Sequence, residues 1–458
     1  MNKLFSYINQ KLCIEIFNAH PIPSTKVFTP TSAAKVNYVE RTELEGKVNC
    51  ELNTPGKQIV LFGSSGSGKT TIIQHLLSKC NIRYIITHCD SQMTFESIIL
   101  NAFDNLDVYV ELEKTKTSSS SKQTSLSLEY QSLKSLCQVQ LGETVSVRYA
   151  PLLPPQLTPQ KLAKFCGELN TIWIIEDFHK VNAEEKKRIA DLLKIFVDIA
   201  NQYSKTKIIC IGTCESASEL VQFNPDLKNR VSEIRVPLLT ENFIRNIIRN
   251  GFEMLNIKIP SSLEDKLFFY SARLGSQVHQ MCLDICNGLS IKQRSRKCVI
   301  LDDTAFTQYA VKGFVEHNEG KFSSIYDKAI RNELGWYILV TFTHNSQEKL
   351  AFREIKKLVN QKGRSFTDEE IMITLEELQS PENAVIIYNQ STEKYRISSP
   401  FWLAFLRMQF ALEQKKKDEA LQNKRNVNLR LVDTSSRYAD VERAMLELLI
   451  SLKRRSAI

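Results

Sequence analysis

Glycine is scarce in this chain, 15 residues of 458, so a cluster of glycines marks a backbone turn that other residues could not make. No CxxC pair occurs among the 11 cysteines, and several of them (Cys210, Cys282, Cys286) lie inside apolar runs. That pattern excludes a disulfide framework and fits reduced, buried thiols. No uninterrupted apolar run approaches the roughly 20 residues of a membrane helix. Met1 to Phe17 alternates charged and apolar residues and has no signal-peptide core. A soluble, cytoplasmic chain without a membrane span is expected. The net charge of +9 is modest for this length; it permits an acidic or nucleic-acid partner and equally fits a solvated surface. The length leaves room for two or three domains, each with its own core.

The scarce glycines concentrate in Gly63-Ser64-Ser65-Gly66-Ser67-Gly68-Lys69-Thr70, directly after the apolar run Ile59-Val60-Leu61-Phe62. The spacing is G-x-x-x-x-G-K-[ST], the phosphate-wrapping P-loop between a strand end and a helix start. Backbone N–H groups of such a loop point at phosphate oxygens, and the helix that begins at Thr71 adds the positive end of its dipole. Lys69 is expected to reach the β- and γ-phosphates and the Thr70 hydroxyl to bind Mg²⁺. Residues Gly63, Ser64, Ser65, Gly66, Ser67, Gly68, Lys69, Thr70 and Thr71 form the expected nucleotide cradle.

A P-loop supplies one metal ligand, so a second strand must present carboxylates. Thr171-Ile172-Trp173-Ile174-Ile175, ending in Glu176-Asp177, is that strand. Glu176 is assigned to the metal and Asp177 to orienting the attacking water, although the usual order is Asp followed by Asp or Glu. The chain has neither the Asn-Lys-x-Asp guanine-reading motif nor the Leu-Ser-Gly-Gly transporter signature. ATP with Mg²⁺ is therefore the expected ligand pair.

Along the chain, residues 1–25 read as an N-terminal extension and 26–239 as an α/β ATPase core. Strand Tyr84-Ile85-Ile86-Thr87 and the amphipathic stretch Thr94 to Phe103 continue the strand–helix alternation of a parallel sheet. Residues about 113–150 interrupt it with a Ser/Thr-dominated, lysine-containing insertion, expected as a mobile surface loop. Asn182 and Glu185 open a long helix; strand 207–212 ends at Thr213, and Arg230 lies just ahead of a last core strand. Residues 240–325 read as a helical lid, in which Ser261 and Glu264 form a capping box. His279, Cys282 and Cys286 share a helix face there and are read as packing, since a fourth metal ligand is missing. Residues 326–412 show three helices and a strand pair in winged-helix order, and 413–458 form a charged tail.

This order of P-loop, acid-ended strand, polar strand end, arginine before the last core strand and helical segment resembles the AAA+ and STAND ATPases. Within them it is most similar to the branch of origin-recognition initiators and archaeal ATPases, over roughly residues 27–410. The resemblance implies that Thr213 is the sensor-1 residue, that Arg230 is an arginine finger, and that Val39-Glu40-Arg41 packs beside adenine. The family's sensor-2 arginine has no counterpart; Gly275-Ser276-Gln277-Val278-His279 stands at that place, with His279 as a substitute.

The expected fold is α/β, an AAA+-like P-loop NTPase sheet core with a helical lid and a C-terminal winged helix. The expected activity is slow ATP hydrolysis by a nucleotide-dependent conformational switch in a protein signalling or defence assembly, with a protein partner or self-oligomer. The alternative is a DNA-associated ATPase of the initiator or transposition type, binding through basic segments. DNA contact through the winged-helix recognition helix is not expected. Its leading end is Thr367-Asp368-Glu369-Glu370, with Glu376-Glu377 two turns on, and such acids face a polyanion unfavourably.

Overall fold

The computed structural model describes residues 21–431, except 107, 119–120, 126–129, 133–144, 152–156, 214–223, 346–347, 362–364 and 381–383. Residues 1–20 of the expected N-terminal extension and 432–458 of the expected charged tail fall outside the described residues. In chain order there follow a one-turn helix α1 (Ser24–Val27), α2 (Thr42–Asn53), β1 (Gln58–Phe62), α3 (Lys69–Lys79), β2 (Arg83–His88) and α4 (Phe95–Leu106). Four further strands come next, β3 (Val108–Ser118), β4 (Ser121–Ser125), β5 (Tyr130–Ser132) and β6 (Val145–Pro151). Then come α5 (Pro159–Glu168), β7 (Thr171–Glu176), α6 (Ala183–Ile199), β8 (Ile208–Gly212) and β9 (Val231–Arg235).

Strands β2, β7, β8, β1 and β9 lie side by side in that order, and every neighbouring pair is parallel. A parallel sheet is covered on both faces, which is why its strands read as unbroken apolar runs. The two-residue period sorts them. Ile59, Leu61, Ile172, Ile174, Ile209 and Ile211 face α3 and α2. Val60, Trp173, Ile175, Ile208 and Cys210 face α4, α5 and α6. Trp173 is fully buried, and its indole N–H donates to the Thr87 hydroxyl at 3.0 Å, so its one polar atom is satisfied. Asn182 caps α6 by accepting from the Glu185 N–H, as the sequence indicates.

The expected insertion contains strand segments among its described residues. Its described backbone pairs antiparallel, β3 with β4, β5 and β6. The run Val108–Ser118 contains Val108, Val110, Thr115 and Thr117, β-branched residues that suit a strand.

Beyond β9 the chain is mainly helical: α7 (Glu241–Met254), a short strand β10 (Ile257–Lys258), α8 (Ser261–Tyr270) and α9 (Gly275–Gly288). Strand β11 (Val299–Ile300) pairs with β10, and a π-helical turn at Phe306–Val311 leads into α10 (Lys312–Ala329). The expected capping box at Ser261 does not form, because Pro260 occupies the N-cap and Glu264 turns away from the helix start. The Glu264 carboxylate pairs instead with Arg245 at 3.0 Å and Arg249 at 2.8 Å, and two guanidinium groups outcompete a single backbone N–H.

The C-terminal part has winged-helix order: α11 (Glu333–His344), β12 (Leu350–Ala351), α12 (Phe352–Asn360), α13 (Asp368–Glu377), β13 (Ile386–Asn389) and β14 (Lys394–Ile397). The three strands form one small sheet, β12–β14–β13. Helix α14 (Pro400–Leu431) closes it and runs unbroken past residue 412, since the Lys-, Glu- and Gln-rich continuation consists of good helix formers. Lid and winged helix share one continuous apolar cluster, which also takes in Ile22, Val27 and Phe28 from the N-terminal segment. Among the described residues no helix is long and apolar enough to cross a membrane.

Candidate nucleotide site

The loop after β1 sits at the carboxyl end of the sheet, where an open α/β fold binds its ligands. Gly63 makes the turn possible: a Cβ there would stand 2.4 Å from the Val236 carbonyl oxygen. Gly66 and Gly68 have φ of +75° and +91°, in the left-handed region that side chains avoid. Lys69 starts α3, and its ammonium donates to the carbonyls of Gly63 (2.8 Å) and Ser64 (3.0 Å), folded back over the loop it terminates.

Arg41 fastens this loop from behind. Its guanidinium donates to the Ser67 carbonyl at 3.2 Å and to the Pro237 carbonyl at 2.8 Å, so the loop is tied to the segment that leaves β9 for the lid. Arg41 is buried, and burial holds its pKa below the ordinary guanidinium value. Its own backbone N–H donates to the Glu45 carboxylate at 2.8 Å, and the Tyr38 hydroxyl donates to the same oxygen at 2.6 Å. Tyr38 in turn stacks on His75 of α3 at 4.0 Å between ring centres.

Of the two strand-end acids, Glu176 reaches the P-loop. One carboxylate oxygen accepts from the Thr70 hydroxyl, and the other lies 3.1 Å from His88 Nδ1. A hydroxyl and a carboxylate in direct contact are the donor set a hard cation takes, so Thr70 and Glu176 fit Mg²⁺. Asp177 follows in a left-handed conformation (φ 56°), and its carboxylate accepts from Lys180 at 2.7 Å. Both partners of that pair are about half exposed, so it contributes little to stability.

The remaining expected residues divide. Thr213 follows β8, whose Gly212 stands level with Phe62, and so lies at the P-loop end of the sheet. Arg230 precedes β9, whose first residue Val231 pairs with Gln58, so it stands at the opposite end, about 16 Å away over a five-residue strand. It is exposed there and pairs with Asp198 at 3.4 Å. His279 is buried, its Nδ1 accepts from the Thr29 N–H at 3.1 Å, and burial pushes its pKa down to about 4. A neutral imidazole held in this way packs against Phe28 and cannot stand in for a guanidinium. Cys282 and Cys286 are buried beside it as packing, with burial pushing the Cys286 thiol up to about 12.

Two participants escaped the sequence. His88 ends β2 where register pairs it with Glu176, and the signal available was only that both residues end apolar runs. The first turn of α9 is the other. A Cβ on Gly66 would come within 2.4 Å of the Ser276 hydroxyl oxygen, so the lid helix starts against the apex of the P-loop.

Residues 54–221 match the family model of an AAA domain. This segment, a little over a third of the chain, is similar to an AAA domain. The AAA fold is that of nucleotide-binding ATPases, and the P-loop site just described lies within the matched segment. Among solved structures the chain is similar to a Walker-type ATPase of Pyrococcus abyssi, with 14% identity and a TM-score of 0.51, covering 83% of this chain and 99% of that one. It is also similar to the ORC2 protein of Aeropyrum pernix in its ADPNP–ADP complexes (11% identity, TM-score 0.46, 87% and 100% covered). Cdc6p of Pyrobaculum aerophilum follows (12%, TM-score 0.40, 86% and 100% covered). No curated protein matches the chain in sequence. The likeness to the Pyrococcus ATPase covers 83% of this chain, well beyond the segment that matches the family model.

Proposed function

We propose that the chain is an ATP-dependent conformational switch that hydrolyses ATP slowly and passes its state to a protein partner. The observation that carries this reading is the seat of the lid on the P-loop, Ser276 against Gly66, with Arg41 tying the loop to the lid connection at Pro237. Any ligand that rearranges the loop alters the surface on which α9 rests. Because the lid shares its core with the winged helix, a shift of one is transmitted to the other.

The residues have separable tasks in this proposal. Lys69 exchanges two backbone carbonyls for phosphate oxygens, a stronger charge-assisted pairing. Thr70 and Glu176 hold Mg²⁺, which when bound neutralises charge on the β- and γ-phosphates. His88 keeps the Glu176 carboxylate aimed at Thr70. Asp177, released from Lys180, would orient water, and Thr213, at the P-loop end of the sheet, would contact the γ-phosphate. Arg230, remote from its own P-loop, completes the site of a neighbouring copy.

The test is thermal unfolding with and without ATP and Mg²⁺. A ligand at 100 times its Kd stabilises by about 2.7 kcal/mol. That increment is expected in the wild type and absent in Lys69→Ala, because the lysine ammonium lies over the phosphate loop and outside the apolar core. Equal increments in the two proteins would overturn the assignment.

A further inference from the structure

Two exposed surfaces on this chain are unpaired in a complementary sense. The first is the outer face of α13. Ile371, Thr374 and Leu375 turn into the core, which leaves Glu369, Met372, Ile373 and Glu376 on the opposite side at i, i+3, i+4 and i+7. Met372 is 49% exposed and Ile373 51%, and Tyr388 of the neighbouring strand β13 is 41% exposed. Glu369, Glu376 and Glu377 have no cationic partner within 4.0 Å among the described residues, whereas Asp368 is paired with Lys356. Met372 and Ile373 form a small exposed apolar patch with glutamates one turn before and after it, a face on which a partner segment can dock. Its acidic rim selects a basic one and repels a duplex.

The second surface is the segment between α9 and β11. Lys292, Arg296 and Lys297 are exposed there, and no carboxylate lies within salt-bridge distance of them among the described residues. Ile300 beside them is 79% exposed, the most exposed large apolar side chain among the described residues. Hydrogen bonds hold the segment in place. Arg294 donates to the carbonyls of Glu253 (3.2 Å) and Met254 (2.7 Å), the Ser295 N–H donates to the Leu255 carbonyl, and the Lys292 carbonyl accepts from the Ser24 N–H. A preformed basic surface with a projecting isoleucine therefore costs little ordering entropy when it docks.

We infer that the outer face of α13 docks the 292–300 segment of a second copy of this chain. Unpaired acids meet unpaired bases, and Ile300 enters between Met372 and Ile373. The two patches are different surfaces, so the contact is heterologous, and repetition produces a ring or a filament. The contact needs no nucleotide and so stands or falls apart from the proposed switch.

The experiment is sedimentation velocity of the full chain over a concentration series at low and moderate salt, with the ATP-dependent thermal shift read in parallel as a check on folding. Wild-type protein should assemble with concentration and dissociate as salt rises. Glu376→Lys with Glu377→Lys, and separately Arg296→Glu with Lys297→Glu, should each weaken assembly about tenfold or more, since like charges then face each other. An equimolar mixture of the two variants should assemble again, because each now offers the surface the other needs. Folded variants that assemble like the wild type, or a mixture no better than its parts, would overturn the inference. So would a monomeric wild type that binds duplex DNA through Arg296 and Lys297.

Discussion

Replacing Arg41 probes the link between the P-loop and the lid. In Arg41→Met the apolar stem remains and the guanidinium is lost, leaving the carbonyls of Ser67 and Pro237 without that donor. Hydrogen bonds from a charged donor are worth about 1.5–3 kcal/mol each, but the cation also loses hydration on burial, so the net cost is about 2–4 kcal/mol. For a domain of this size that lowers Tm by roughly 4–16 °C. Because the same bonds hold the last turn of the phosphate loop, the ATP-dependent increment should shrink as well. Arg41→Lys is the control: it keeps the charge but cannot bridge two carbonyls with one planar group, so it should recover part of the loss. The assay is thermal unfolding of the three proteins with and without ATP. A change below about 0.5 kcal/mol in Arg41→Met, with an unaltered ATP increment, would refute the role assigned to this residue, since that is the range of ordinary surface substitutions.

Two further predictions use other parts of the molecule. Turnover per subunit should rise with protein concentration, and Arg230→Ala should flatten that rise, because an arginine supplied by a neighbour accelerates hydrolysis about 10³-fold or more; a concentration-independent rate would leave Arg230 without a role. Asp284 is buried between α9 and α10, with one carboxylate oxygen unpartnered and the other accepting from Gln280 at 2.8 Å. Burial raises its pKa from 3.8 to about 6, so the folded state binds the proton more tightly than the unfolded one. The charge therefore destabilises the fold above pH 6, and stability is regained as pH falls from about 6 to about 4. Asp284→Asn should stabilise the protein at pH 7 by up to about 3 kcal/mol and remove that pH dependence, measured by chemical denaturation; a variant less stable at pH 7 would contradict this.

The core was legible because a parallel sheet covered on both faces writes each strand as an apolar run, and because Gly63, Gly66 and Gly68 occupy positions whose close contacts or φ values other residues do not tolerate. The winged helix was legible from periodicity, and a Thr367–Glu370 capping box starts α13. What spacing could not supply was contact between distant segments. His88 meets Glu176 only through strand register, and Ser276 meets Gly66 only through the seating of a helix some 200 residues away. The capping box at Ser261 failed for a related reason: local geometry offered Glu264 one N–H, while α7 brought it Arg245 and Arg249. In residues 113–150 the serine and threonine content did not indicate the antiparallel pairing of β3 with β6.

Amide hydrogen exchange of the lid tests the central claim most directly. The probes are the first turns of α9 and α7, together with residues 236–239, compared with and without an ATP analogue that is not hydrolysed. The account predicts altered protection at these amides in the wild type and none in Lys69→Ala, because the lid responds to the P-loop it rests on. Thermal stabilisation by the analogue with unchanged exchange throughout the lid would contradict it, leaving a nucleotide-binding protein in which the lid does not respond.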